Sequence, residues 1–204
     1  MIVDLNGKRI FSLHYLGTEY GGWAIQTNLL NKDSIIYCFG VGTDISFDEE
    51  LIKRYDCVVY GFDPTPRSIK WVETTSLHNN YKFIPYGISN FDGDSLFNQP
   101  LRDEWVSYSE TYNGNENSVY CPVKKITTIM KELNHTHIDL LKMDIEGSEY
   151  SVLDDMINNN INPNQLLIEF HGEVYKTNNI LDKFKNIYNI YTKKDSKDYY
   201  LIKK

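Results

Sequence analysis

The stretch Ile35-Ile36-Tyr37-Cys38-Phe39-Gly40-Val41-Gly42-Thr43-Asp44-Ile45-Ser46-Phe47-Asp48-Glu49-Glu50 is a continuous apolar run, then a glycine turn, then an acidic helix start. An apolar run without alternation reads as a strand buried on both faces, the habit of parallel sheets. A strand that runs through small residues into a helix is the arrangement of a ligand-binding turn in an α/β fold, because glycine lets the backbone approach a ligand closely. Two glycines alone are weak support, since any tight turn uses them.

The same pattern recurs outward from this stretch. Short apolar runs at 58–62, 81–88, 138–143 and 166–170 are bounded by Gly, Pro, Asp or Asn. Helical stretches fall between them, at 47–55 with acids in its first turn and at 149–158 with Tyr150, Leu153 and Ile157 on one stripe. Alternating strands and helices imply right-handed crossovers and a mostly parallel sheet covered by helices on both faces. The tail departs from this rhythm: 186–192 and 199–203, separated by the turn-like 194–197, predict a C-terminal hairpin added antiparallel to the sheet edge. The segment 92–118, broken by Gly93, Pro100 and the Asn-Gly-Asn-Glu-Asn run, predicts a long loop or lid.

The chain has 204 residues, 41% of them hydrophobic, enough for one well-packed domain; the reading is a single domain over 1–204, with 1–33 as an N-terminal cap and 34–204 as the core. A formal net charge of −7 gives no general attraction to phosphate backbones, so nucleic acid is not expected as a partner. The N-terminus carries Asp4, Lys8 and Arg9 and no long apolar run, so no signal peptide or membrane anchor is read there. Cys38, Cys57 and Cys121 show neither a disulfide framework nor metal-ligand spacing; Cys38 and Cys57 sit in apolar stretches as small hydrophobic thiols, and the set suits a reducing, cytoplasmic setting. The sequence does not determine an oligomeric state.

Four marks carry chemistry. Gly40 and Gly42 form the turn. Asp63, ending the run Gly61-Phe62-Asp63-Pro64, lies about 20 residues further on, where an acid accepts the ribose hydroxyls of an adenosine cofactor. A dinucleotide fingerprint requires a third small residue, and that position is Ile45. The helix start also holds Asp44, Asp48, Glu49 and Glu50, which would repel a pyrophosphate but suit a cationic ligand such as S-adenosylmethionine. The third mark, Leu141-Lys142-Met143-Asp144-Ile145-Glu146-Gly147-Ser148-Glu149, delivers Asp144 and Glu146 to the carboxyl edge of the sheet, where such folds bind ligands. The fourth, Ile168-Glu169-Phe170-His171, adds another acid and a histidine.

Together these segments resemble the FkbM family of S-adenosylmethionine-dependent methyltransferases, over roughly Tyr20 to Gly172. The resemblance implies a Rossmann-like class I methyltransferase fold with a seven-stranded sheet, and O-methylation of a hydroxyl on a sugar, glycan or small natural product. On this reading Phe39, Gly40, Val41, Gly42, Asp44, Asp63, Pro64 and Asp144 line the donor site, and Asp144, Glu146 and His171 are the catalytic candidates, His171 being the leading base. A divalent cation held by the carboxylates is an alternative to a protein base; no metal ligands are assigned. The sequence departs from many methyltransferases at Cys38, where an acid is usual, and Asp44 is the candidate to replace that acid toward the donor's ammonium. Tyr20-Gly21-Gly22-Trp23 is read either as an aromatic lid or as cover for the sheet edge. Two rivals remain, a nicotinamide oxidoreductase and a noncatalytic module that binds the donor.

Overall fold

The computed structural model describes residues 1–98 and 118–204. The chain opens with β1 (Ile2–Asp4), followed by β2 (His14–Leu16) and β3 (Trp23–Ile25), which pair as a short antiparallel ribbon. It continues through β4 (Ile36–Phe39), α1 (Ser46–Tyr55), β5 (Val59–Phe62), α2 (Pro66–Thr74) and β6 (Tyr81–Ile84). Next come β7 (Gly87–Ile88), β8 (Gly93–Phe97), β9 (Val119–Lys124) and α3 (Ile126–Glu132). The last third is β10 (Leu140–Met143), α4 (Glu149–Asn158), β11 (Gln165–Glu169), α5 (Val174–Phe184), β12 (Tyr188–Lys193) and β13 (Asp198–Lys203).

The main sheet has eight strands in the order β1-β12-β13-β11-β10-β4-β5-β6. From β11 to β6 all pairings are parallel, whereas β13, β12 and β1 join antiparallel. The sheet is therefore mixed, which corrects the seven-stranded, mostly parallel expectation. The added strand is β1, whose three residues pair with Lys193, Thr192 and Tyr191 of β12. The C-terminal hairpin is present with its second strand innermost, because β13 and not β12 pairs with β11.

Strand alternation sorts the core into two layers. Tyr37, Phe39, Leu141, Met143, Leu166 and Ile168 face α3, α4 and α5, meeting Ile129, Leu153 and Leu181. Their neighbours Ile36, Cys38, Leu140 and Leu167 face the other way, onto Phe47, Leu51 and Ile52 of α1 and Trp23 to Ile25 of β3. Each fully buried Leu, Ile or Phe in these layers contributes roughly 1.5–3 kcal/mol. Thr65 starts α2 because its hydroxyl accepts the Ser68 N–H and Pro66 fills the first helical position, where its missing N–H costs nothing.

One sequence expectation changes here, and an open one narrows. Residues 93–97, assigned to a loop, form β8 and pair with β9 in a second, three-stranded sheet with β7; residues 99–117 of that expected lid lie outside the described residues. Trp23 is buried against Tyr200 with rings edge to face, so it covers the sheet, while Tyr20 stands exposed at the pocket mouth. All three cysteines are buried and free. No helix among the described residues is long and apolar enough to cross a membrane.

Candidate active site

The sheet reverses direction of growth between β4 and β10: β5 and β6 extend one way from β4, and β10 and β11 the other. The loops leaving the carboxyl ends of β4 and β10 must diverge at such a switch point, and the crevice between them is where open α/β sheets bind ligands. A cavity of about 330 Å³ occupies this position. Its walls come from the ends of β4, β5, β10 and β11, with Tyr20 to Trp23 on one side and Lys193 and Asp198 of the hairpin on another.

The glycine turn is built by close packing on one side and opens on the other. Gly40 has φ 79°, and a Cβ placed there would lie 1.8 Å from the Asp144 carbonyl oxygen. Gly42 has φ 55°, and a Cβ there would meet nothing within 4 Å. Gly40 thus lets β4 and β10 stay adjacent at their ends, and Gly42 leaves room on the cavity side. Asp63 braces the turn from β5: one carboxylate oxygen accepts the Gly42 N–H at 3.0 Å, and the other accepts the Thr65 N–H and hydroxyl at 2.9 and 2.6 Å.

Asp44 is committed to the protein. Its carboxylate accepts the Ser46 N–H at 2.8 Å and the Thr18 hydroxyl at 2.7 Å. Burial pushes its pKa up, but the Ser46 and Thr18 hydrogen bonds and Lys142 outweigh that and hold it below the usual carboxylate range. The first N–H groups of α1, which would bind a phosphate, therefore face an anion the protein supplies itself. Behind the turn, Asp48 is buried beside the Cys38 thiol, and burial raises it to about 6 against the pull of Lys142. An acid thus returns, from one turn into α1, to the neighbourhood of Cys38.

Lys142 is the cation of this region. It sits on β10, only 8% exposed, and donates to the Gly40 carbonyl at 2.6 Å. Its charge acts on Asp44, Asp48 and Asp144, and its ammonium lies 5.7 Å from the centre of the Trp23 ring.

The second half of the site gathers around His171, which follows β11. Nδ1 is 2.9 Å from Glu149 Oε1, a side chain with no exposure at all. Nε2 lies 3.5 Å from Glu146, 3.8 Å from Glu169 and 3.9 Å from Asp144. Burial alone would lower the imidazole pKa, but the Glu149 hydrogen bond and the surrounding carboxylate charges win and raise it to about 9. Glu169 is raised as well, to about 7, through burial and the neighbouring Asp144. Asp144 is also raised, chiefly by burial, with Lys142 opposing.

The site candidates read from sequence thus converge: Phe39, Gly40, Val41, Gly42, Asp44, Asp63, Pro64, Asp144, Glu146 and His171 all line one cavity. The structure changes the balance among them. His171, raised to about 9, and Glu169, raised to about 7, both stand among the candidates for a base, with Glu169 the nearer to neutral pH. Lys142 and Glu149 were missed as functional groups. A lysine inside an apolar strand is a readable signal for the first, but Glu149 reads only as an ordinary acid at a helix start.

The description "Methyltransferase FkbM domain" matches residues 27–196 of this chain. The chain belongs to the FkbM methyltransferase family. Among curated proteins it is similar to "Probable methyltransferase-like protein 24" of Rattus norvegicus, 25% identical over 151 residues, which is 73% of this chain and 36% of that protein. The human protein of the same name is 26% identical over 143 residues, 69% of this chain and 33% of its own length. The chain thus spans about a third of the curated relatives it matches. No solved structure matches it significantly. The match to the FkbM domain covers β4, β5, β10 and β11, whose ends wall the cavity, while Tyr20 to Trp23 and Asp198 lie outside it.

Proposed function

We propose that this FkbM domain transfers a methyl group from S-adenosylmethionine to an oxygen nucleophile, a hydroxyl on a sugar, glycan or small natural product. The observation that carries the reading is the open side of Gly42, next to Asp63, in a cavity whose α1 amino terminus is closed to phosphate by Asp44. A ligand with a nucleoside and a cationic tail fits this balance. The cavity's Asp44, Asp63, Asp144, Glu146, Glu169 and Asp198 outnumber Lys142, Lys193 and His171. A pyrophosphate would meet carboxylates where it needs N–H groups, so the nicotinamide reading loses its main support.

The bound donor supplies an electrophilic methyl. The protein holds the acceptor oxygen in line with it, which accounts for most of the rate. Glu169, titrating near 7, takes the acceptor's proton, and protonated His171 balances the charge left on the surrounding acids. Calorimetry with S-adenosylmethionine and its demethylated product tests the reading and should give one site per chain. Isotope-labelled donor incubated with metabolite or glycan extracts should then label an acceptor. Failure to bind either compound overturns the proposal; binding without transfer to any acceptor favours the noncatalytic module.

A further inference from the structure

We propose that Asp144, Glu169 and His171 form a binding site for a divalent metal ion at the carboxyl edge of β10 and β11. One ligand atom from each lies within 4.8 Å of the other two. Ions bound at about 2.1 Å place neighbouring ligand atoms roughly 3.0–4.2 Å apart, so the 3.8 and 3.9 Å from His171 Nε2 need little movement. Glu146 Oε2, 3.5 Å from the same nitrogen, stands close enough to join.

Two carboxylate oxygens at this cluster, on Asp144 and Glu149, are buried without a hydrogen bond. A single imidazole N–H points to one acceptor, yet three carboxylates crowd Nε2 at 3.5–3.9 Å, so at most one of them gains a hydrogen bond from it. Asp144 Oδ1 is sealed from solvent and has no hydrogen-bond partner. Glu149 Oε2 is in the same condition on a side chain with no exposure. An orphaned buried carboxylate oxygen destabilises the fold, and a cation among the acids removes that cost. His171 is also oriented as a metal ligand is. Its Nδ1 is held by buried Glu149, which fixes the ring and turns Nε2 toward the acids, the carboxylate–histidine–metal arrangement.

Mostly carboxylate ligands with one imidazole suit Mn²⁺ among common divalent ions, and Mn²⁺ is the probe. The ion's role rests on the methyl-transfer reading: bound there, it would take the place of Glu169 as the group that lets the acceptor hydroxyl lose its proton, with His171 neutral at Nε2; the binding itself does not rest on that reading, and it is measured without donor. Chelator-treated protein titrated with Mn²⁺ and followed by electron paramagnetic resonance should take up one ion per chain. Asp144→Asn and Glu169→Gln should weaken that affinity at least tenfold, and Glu149→Gln about tenfold through lost orientation. Asp182→Asn, on the exposed face of α5, should leave it unchanged. In the unaltered protein, pulsed measurements should show nitrogen coupling from one imidazole. Absence of stoichiometric uptake, absence of nitrogen coupling, or equal weakening by Asp182→Asn and Asp144→Asn overturns the site. If Mn²⁺ binds while the methyl donor does not, only the methyl-transfer reading falls.

Discussion

Three glycine-to-alanine changes separate backbone strain, packing and ligand contact at the turn. Gly7, Gly40 and Gly42 all have positive φ, at 84°, 79° and 55°. An alanine in that region costs roughly 1–2 kcal/mol from its Cβ alone. At Gly7 and Gly42 the cost should end there, because neither Cβ meets an atom within 4 Å. At Gly40 the new methyl would lie 1.8 Å from the Asp144 carbonyl oxygen, a backbone atom that cannot rotate away. Relief requires the ends of β4 and β10 to part, adding about 1–3 kcal/mol or more, as overpacking does. In a chain of this size 1 kcal/mol lowers Tm by about 2–4 °C. Gly7→Ala and Gly42→Ala should each lose a few degrees, and Gly40→Ala roughly twice as much or more. Ligand affinity should divide the set differently. Calorimetry should find S-adenosylmethionine bound at least tenfold more weakly by Gly42→Ala, whose methyl enters the cavity, and with parental affinity by Gly7→Ala. Equal Tm losses at Gly40 and Gly42 would refute the packing argument. Parental donor affinity in Gly42→Ala would refute the placement of the ligand.

Replacing Lys142 with Met should cost about 3–5 kcal/mol in urea unfolding, because Asp44, Asp48 and Asp144 lose their buried counter-charge and the Gly40 carbonyl its donor. Asp63→Ala removes acceptors from Gly42 and Thr65 and should cost about 2–4 kcal/mol while weakening donor binding; an unchanged binding constant would separate Asp63 from the ligand. His171 has its folded pKa raised from 6.5 to about 9, so its contribution is complete below pH 6.5 and lost as pH rises through about 9. Chelator-treated protein should lose stability across that window, by about 3 kcal/mol at most, and His171→Ala should flatten the loss. In chelator-treated protein Glu169 is raised to about 7, so the methyl-transfer rate should rise through neutral pH, and Glu169→Gln should lower the rate and abolish that limb of the profile.

Much of the fold was legible along the chain. The runs 35–39, 58–62, 138–143 and 166–170 became β4, β5, β10 and β11 within a residue or two, because strands buried on both faces must be apolar throughout. The helix at 149–158 matches α4, and the helix at 47–55 falls short of α1 by only its first residue. The edges were harder. β1 is three residues long and owes its place to the register of β12, a partner almost the whole chain away, so no local pattern announces it. β8 was hidden because Gly93 and Asp94 read as a turn, and only pairing with β9 makes them a strand.

The cavity shows the same division. Sequence alone placed Gly40, Gly42, Asp63, Asp144 and His171 at strand ends, since ligand contacts at those positions follow from chain order and spacing. It could not assign their protonation, because a pKa depends on which charges lie within a few ångströms, and those come from distant segments. Glu149, Glu146 and Asp144 reach His171 from outside β11, and the Glu149 hydrogen bond and their charges raise its pKa to about 9. Residue types and their spacing determined the fold class and the neighbourhood of the site. Tertiary packing decided how charge is distributed within it, because electrostatic energy depends on distance through space, which the order of residues does not record.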